Sequence, residues 1–278
     1  MAKPVGLVIS LWYGRMIPWL IICLSVFLIG LTKSGLGAGM GLIVVPMTAI
    51  ALGHTPMGAE AALGLLLPLL ILGDLIAVAQ YRRIYDFSYI RPLLWPTGIG
   101  IGIGSLLLLT IHQQSAHLVG VLMRLEIGLE SIFLVSLHWW RTYKGIQQRL
   151  MSEPSRSWVT GLFIGISTTL AHAAGPIMAA YLLPLRLERR VFVGTTAVFF
   201  FLANSSKIPF YYGVGQFDAV NWKQAGMLAP LVFLGAGCGF VLIRKLTDQS
   251  FFRFVYVAVF VMGIYLVTDS ILSLMRMG

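Results

Sequence analysis

Apolar residues fall into runs at 17–32, 42–52, 59–79, 92–111 and 116–137. After a polar stretch come further runs at 158–170, 177–185, 191–211, 222–243 and 251–270. A helix needs about 20 apolar residues to cross the hydrocarbon of a bilayer, so the longer runs predict transmembrane helices. The first two runs of each set are too short to span singly and predict a helix interrupted at membrane depth. The interruptions are Lys33-Ser34-Gly35-Leu36-Gly37-Ala38-Gly39-Met40-Gly41 and His172-Ala173-Ala174-Gly175-Pro176. Paired breaks in corresponding places of two halves are the sequence feature that points to a transporter's binding site.

Other landmarks repeat at separations of 132 to 135 residues: Gly30 with Gly165, Asp86 with Asp218, Pro96 with Pro230, and Gly100-x-Gly102-x-Gly104 with Gly235-x-Gly237-x-Gly239. A fixed spacing of this kind is the mark of an internal duplication. The pattern predicts an all-α, polytopic transmembrane helical bundle of two inverted repeats, each a broken, re-entrant helical hairpin plus three transmembrane helices. Repeat one covers 17–138, a cytoplasmic linker 139–157 and repeat two 158–273, within a single integral membrane domain, 1–278.

Composition supports the membrane assignment. The chain is 58% hydrophobic and 11% charged, where an ordinary soluble domain carries about 25% charged residues. Its net charge of +10 lies in short clusters between apolar runs and not along one basic face, which speaks for topology and against a nucleic-acid partner. If both broken segments enter and leave on one face, the cytoplasmic side holds Arg82, Arg83, Arg91, Arg141, Lys144, Arg149, Arg156, Arg186, Arg189, Arg190, Arg244 and Lys245. The outer side then holds only Lys3, Arg15, Lys223 and Arg276. If both segments cross instead, the Arg186/Arg189/Arg190 and Arg244/Lys245 clusters fall outside, against the positive-inside rule. The expectation is a multi-pass protein of the cell (inner or plasma) membrane with both termini on the outer side and no removable signal peptide. Cys23 and Cys238 stand alone in apolar runs and suggest neither a disulfide framework nor a metal site.

Candidate chemistry gathers at the breaks. Gly35, Gly37, Gly39 and Gly41 weaken a continuous helix, and irregular backbone at membrane depth must line a cavity or be buried in protein. Helices resuming near 42 and 177 would point their N-termini, with unpaired N–H groups, into that cavity, forming anion sites. Lys33 and Ser34 precede the first break, Thr168 and Thr169 the second. His172 and Gly175 lie within the second break, and Asn204 and Lys207 lie late in the 191–211 run. These twelve residues are the candidate substrate-binding set for a small anion. Asp74, Arg124, Glu126 and Glu130 are charges inside apolar runs, costly there, and are the candidates for coupling or gating. No metal, cofactor or catalytic residue is expected: the five histidines form no metal-ligand pair of the H-E-x-x-H kind, and no G-x-S-x-G elbow occurs.

The sequence resembles the TauE/SafE family of membrane transporters, also called the sulfite exporter or TSUP family. The resemblance rests on the stretch from Gly35 to Pro46 in the first half. In the second it rests on Gly161 to Pro176, Gly194-Thr195, Lys207, Gly213, and Pro230 followed by Gly235-x-Gly237-x-Gly239. It implies a secondary transporter, read as an exporter, of small sulfur-containing anions such as sulfite or organosulfonates. Ala38, and Ala173 with Ala174, stand where the family commonly has glycine. The sequence alone leaves a passive small-anion channel on the same scaffold, and an intramembrane enzyme, as alternative functions. The expected partners are the anionic substrate and the lipid bilayer, and a homo-oligomer is compatible with the chain.

Overall fold

The computed structural model describes residues 5–36, 41–58, 61–111, 153–182, 187–245 and 247–275, together with residue 185 and scattered helical positions between 121 and 143. The described residues are overwhelmingly helical and contain no strand. In hydrocarbon each backbone N–H and C=O must find its partner within its own segment, and for these runs only a helix does that. The helices are α1 (Val5–Leu31), α2 (Gly41–Leu52), α3 (Ala61–Gln80), α4 (Phe87–Ile111), α5 (Glu153–Ala171), α6 (Gly175–Leu182), α7 (Arg189–Gly213), α8 (Trp222–Lys245) and α9 (Asp248–Met275). A π-helical turn, Thr32–Leu36, ends α1. Five helical stretches are long and apolar enough to cross a membrane: Met16–Gly35, Ala61–Gln80, Arg91–Thr110, Arg189–Gly213 and Trp222–Leu242. This is an all-α polytopic membrane protein.

The helix opening each half is longer than its apolar run, and for the first half, where Met16–Gly35 is long and apolar enough to cross, this corrects the expectation that it could not span. α1 has 27 residues and α5 has 19, because each helix continues through charged positions, Arg15 in α1 and Arg156 in α5, where the apolar run stops. Helical hydrogen bonding does not require apolar side chains, so a charge ends a hydropathy window without ending a helix.

Glycines set the closest helix contacts. A Cβ on Gly30 would collide with the carbonyl of Val232, and one on Gly235 with that of Phe27, so α1 and α8 touch backbone to backbone. α4 and α5 meet in the same manner: Gly165 lies against the Thr97 carbonyl, and Gly100 against that of Leu162. Adding 135 to Phe27, Gly30, Thr97 and Gly100 gives Leu162, Gly165, Val232 and Gly235, so each crossing is the other with its halves exchanged. One turn on, Gly35 lies against Gly239, and α4 meets α5 from Pro96 with Gly161 to Gly104 with Thr169, so the helices of each pair run parallel.

α3 and α7 meet head to tail. Gly64, early in α3, packs on the Gln216 carbonyl just after α7, and Gly194, early in α7, packs on the Ile84 carbonyl just after α3. The amide of Asp86 also donates to Thr195 Oγ1 at 3.0 Å. The two helices therefore run antiparallel. α6 turns back along α5: Tyr181 accepts a hydrogen bond from Arg156 through its carbonyl, and its hydroxyl lies 3.2 Å from Ser157 Oγ, near the start of α5. The second broken segment is thus a hairpin. In the first, the turn after α2 lies beside the start of α8, where the Asn221 amide meets Met57 Sδ at 3.5 Å. These contacts gather Arg82, Arg83, Arg91, Arg156, Arg189, Arg190, Arg244 and Lys245 at one end of the bundle, and Lys223 at the other.

Candidate functional site

The first break places Lys33, Ser34 and Gly35 in the π-helical turn at the tip of α1, a distortion that recurs at functional sites. Gly41 opens α2, and Gly37 and Gly39 lie outside the described residues. The extra residue in the turn leaves Lys33 aimed across at the middle of α3, where its Nζ lies 2.7 Å from Asp74 Oδ1. Asp74 is fully buried. Its other oxygen accepts a 2.6 Å hydrogen bond from Asn204 Nδ2 of α7, so one carboxylate ties the first break to both central helices. The Lys33 ammonium also sits 4.5 Å from the centre of the Phe200 ring, a cation–π contact.

At the second break α5 stops at His172, which adopts a left-handed backbone (φ 52°). Such strain in a non-glycine residue persists only where its surroundings hold it, and it collects at ligand sites. Here Lys207, a lysine with no solvent-exposed surface, does the holding. Its Nζ donates to the Thr168 carbonyl at 2.9 Å and to Thr168 Oγ1 at 3.1 Å, and lies 2.8 Å from His172 Nδ1. An ammonium can only donate, so Nδ1 accepts and the ring proton sits on Nε2, which is 3.1 Å from the Leu63 carbonyl at the start of α3. One tautomer satisfies both contacts. Gly175 opens α6.

Two tyrosines that sequence reasoning missed complete the site. Tyr81, just past α3, donates to the Ser34 carbonyl at 2.6 Å, and Tyr211, late in α7, donates to the Thr169 carbonyl at 2.5 Å. Ser34 and Thr169 stand 135 residues apart, at the same position of the two breaks. Each broken helix frees carbonyls that cannot stay unpaired in a dry interior, and a tyrosine from a central helix caps the equivalent one in both. Near the end of a membrane helix a tyrosine reads as an interfacial residue. The sequence signal was their common spacing of 130, shared with Asp74 and Asn204 and with Gly64 and Gly194.

The profile of the sulfite exporter TauE/SafE family matches residues 22–266. The chain belongs to the TauE/SafE family. That is a sulfite exporter family of membrane transporters, and the matched stretch contains both breaks and the polar residues that surround them. No curated protein and no solved structure matches.

In this TauE/SafE chain the polar cluster is unevenly charged. Lys33 is paired with the carboxylate of Asp74, whereas Lys207 is held by neutral acceptors, so the described residues of the cluster offer two lysines and one carboxylate. Ser34 Oγ is buried with no hydrogen-bond partner among them, an unspent donor beside Lys33. Thr169 spends its hydroxyl on the Gly165 carbonyl of its own helix, so of the two threonines Thr168 is the one turned to the cluster. The structure therefore bonds Lys33, Asp74 and Asn204 into one group, with Ser34 beside Lys33, and Thr168, His172 and Lys207 into a second, Asn204 and Lys207 lying one turn apart on α7. Arg124, Glu126 and Glu130 lie outside the described residues.

Proposed function

We propose that this chain is a secondary carrier, working as an exporter, for small sulfur-containing anions such as sulfite or organosulfonates, and not an enzyme. The observation that carries the reading is that each break holds a lysine, Lys33 at the first, paired with Asp74 of α3, and Lys207 at the second, reaching from α7 to Thr168 and His172. An oxyanion seated between the breaks would accept from Lys33 Nζ and Ser34 Oγ, with Lys207, whose donors are already engaged, contributing its charge alone. The first N–H groups of α2 and α6, which have no partner inside their helices, would add their dipoles. The family membership supplies the sulfur chemistry, and the cationic cluster supplies the charge selection.

In this reading the halves are inverted repeats that rock about the antiparallel α3–α7 pair and open the site to one side, then the other. The exchanged glycine crossings and the shared tyrosine caps support the repeat. The basic end faces the cytoplasm and both termini lie outside, as the positive-inside rule favours. The test is sulfite flux in proteoliposomes with sulfate and acetate as competitors, with thiol labelling of cysteines placed at Arg83 and Arg189 to report sidedness. Saturable flux with counterflow is expected, and both cysteines should label from the same side. No flux would reject the sulfur-anion reading, and large single-channel currents would replace the carrier with a channel.

A further inference from the structure

We propose that Asp74 is the counter-ion of the empty carrier, a tethered carboxylate that stands in for the transported anion at Lys33 so that the unloaded protein can return. The inference rests on the carrier reading above and concerns the half of the cycle that carries no substrate.

The two lysines of the site are stabilised differently. Lys207 is held by neutral acceptors, the Thr168 carbonyl and hydroxyl and His172 Nδ1, which fill its three donor positions without cancelling its charge. Lys33 has the face of Phe200 and one true counter-charge, Asp74 Oδ1. Asp74 does not depend on Lys33 for its position, because it is fixed in the middle of α3 and held from α7 by Asn204. The carboxylate thus stays in place whether or not Lys33 is engaged, and the anion binds to the same ammonium that Asp74 neutralises.

A carrier must pass through a closed state with the site sealed from water on both sides. Loaded, the anion supplies the charge that Lys33 needs. Empty, an uncompensated ammonium in a dry site is heavily penalised, and that penalty would fall on the return step alone. Asp74 removes it. The groups facing the carboxylate are Lys33 from the first break and Asn204 from α7, with the Lys207 charge one turn further along α7. Lys207, on the same helix as Asn204, holds the second break through Thr168 and His172.

The experiment compares net efflux of radiolabelled sulfite into anion-free medium with exchange against sulfite on both sides, using the full chain in proteoliposomes. Net efflux needs the empty return, and exchange does not. The wild type is expected to do both. Asp74→Asn is expected to lose net efflux roughly tenfold or more relative to its own exchange, while Asp74→Glu keeps the wild-type ratio. Equal loss of both rates in Asp74→Asn overturns the proposal. So does a wild type that exchanges without net efflux, a result that stands even if the variant fails to fold. A wild type with neither rate fails the carrier reading itself.

Discussion

Replacing Lys33 with alanine is expected to reduce anion flux about a hundredfold or more and to destabilise the protein by about 3–5 kcal/mol. Two losses coincide in this variant. The site loses a cation placed by the first break, and Asp74, fully buried, keeps only the Asn204 amide. Breaking a buried pair from one side costs far more than the pair is worth, because the stranded charge keeps its desolvation penalty. The two losses separate in the double variant Lys33→Met with Asp74→Asn, where stability recovers and flux does not. Thermal unfolding in detergent beside flux in vesicles reads both. Near-normal flux in Lys33→Ala would remove Lys33 from the site.

The second large effect concerns packing. A Cβ on Gly30 would meet the Val232 carbonyl and the Ala236 amide nitrogen, both backbone atoms that no rotamer change can move. Gly30→Val should force α1 away from α8 and cost more than the roughly 1–3 kcal/mol of ordinary core overpacking. Gly165→Val, at the equivalent α4–α5 crossing, should do the same. Gly98 and Gly237 are the controls, since nothing lies within 4 Å of a Cβ built on either. Alanine there should be neutral, or stabilising by up to about 1 kcal/mol through helix propensity. Thermal unfolding of the four variants checks the set. A tolerated Gly30→Val, or a damaging Gly98→Ala, would contradict the close-packed crossings from which the repeat is inferred.

Much of the fold was legible because membrane depth makes hydropathy and backbone satisfaction say the same thing. α2, α3, α4 and α7 begin and end within a few residues of their apolar runs. α1 and α5 do not, since helix continues through Arg15 and Arg156 where hydropathy stops. The glycines at 30, 100, 165 and 235 were legible as a repeat, but not as two crossings with their partners exchanged, because sequence spacing does not say which helix lies across from which.

The site was readable in its residue types and less so in its pairings. Lys33, Ser34, Thr168 and His172 stood out because they sit at breaks, and Lys207 because a lysine in an apolar run is expensive. Sequence made the breaks look unequal, with a cation on the first alone. Folding corrects this by carrying Lys207 from α7 to the second break, so that each break holds an ammonium. Tyr81 and Tyr211 were hidden because their role lies in a carbonyl they reach in another segment, and no local pattern records that.

The central claim is that one anion binds between the two breaks. Selenite, with selenium in place of sulfur, would locate it by anomalous scattering in crystals of the full chain. The expected peak lies within hydrogen-bond reach of Lys33 Nζ and Ser34 Oγ, on the side facing Lys207. A peak confined to the arginines at the basic end, with the two lysines unvisited, would contradict it.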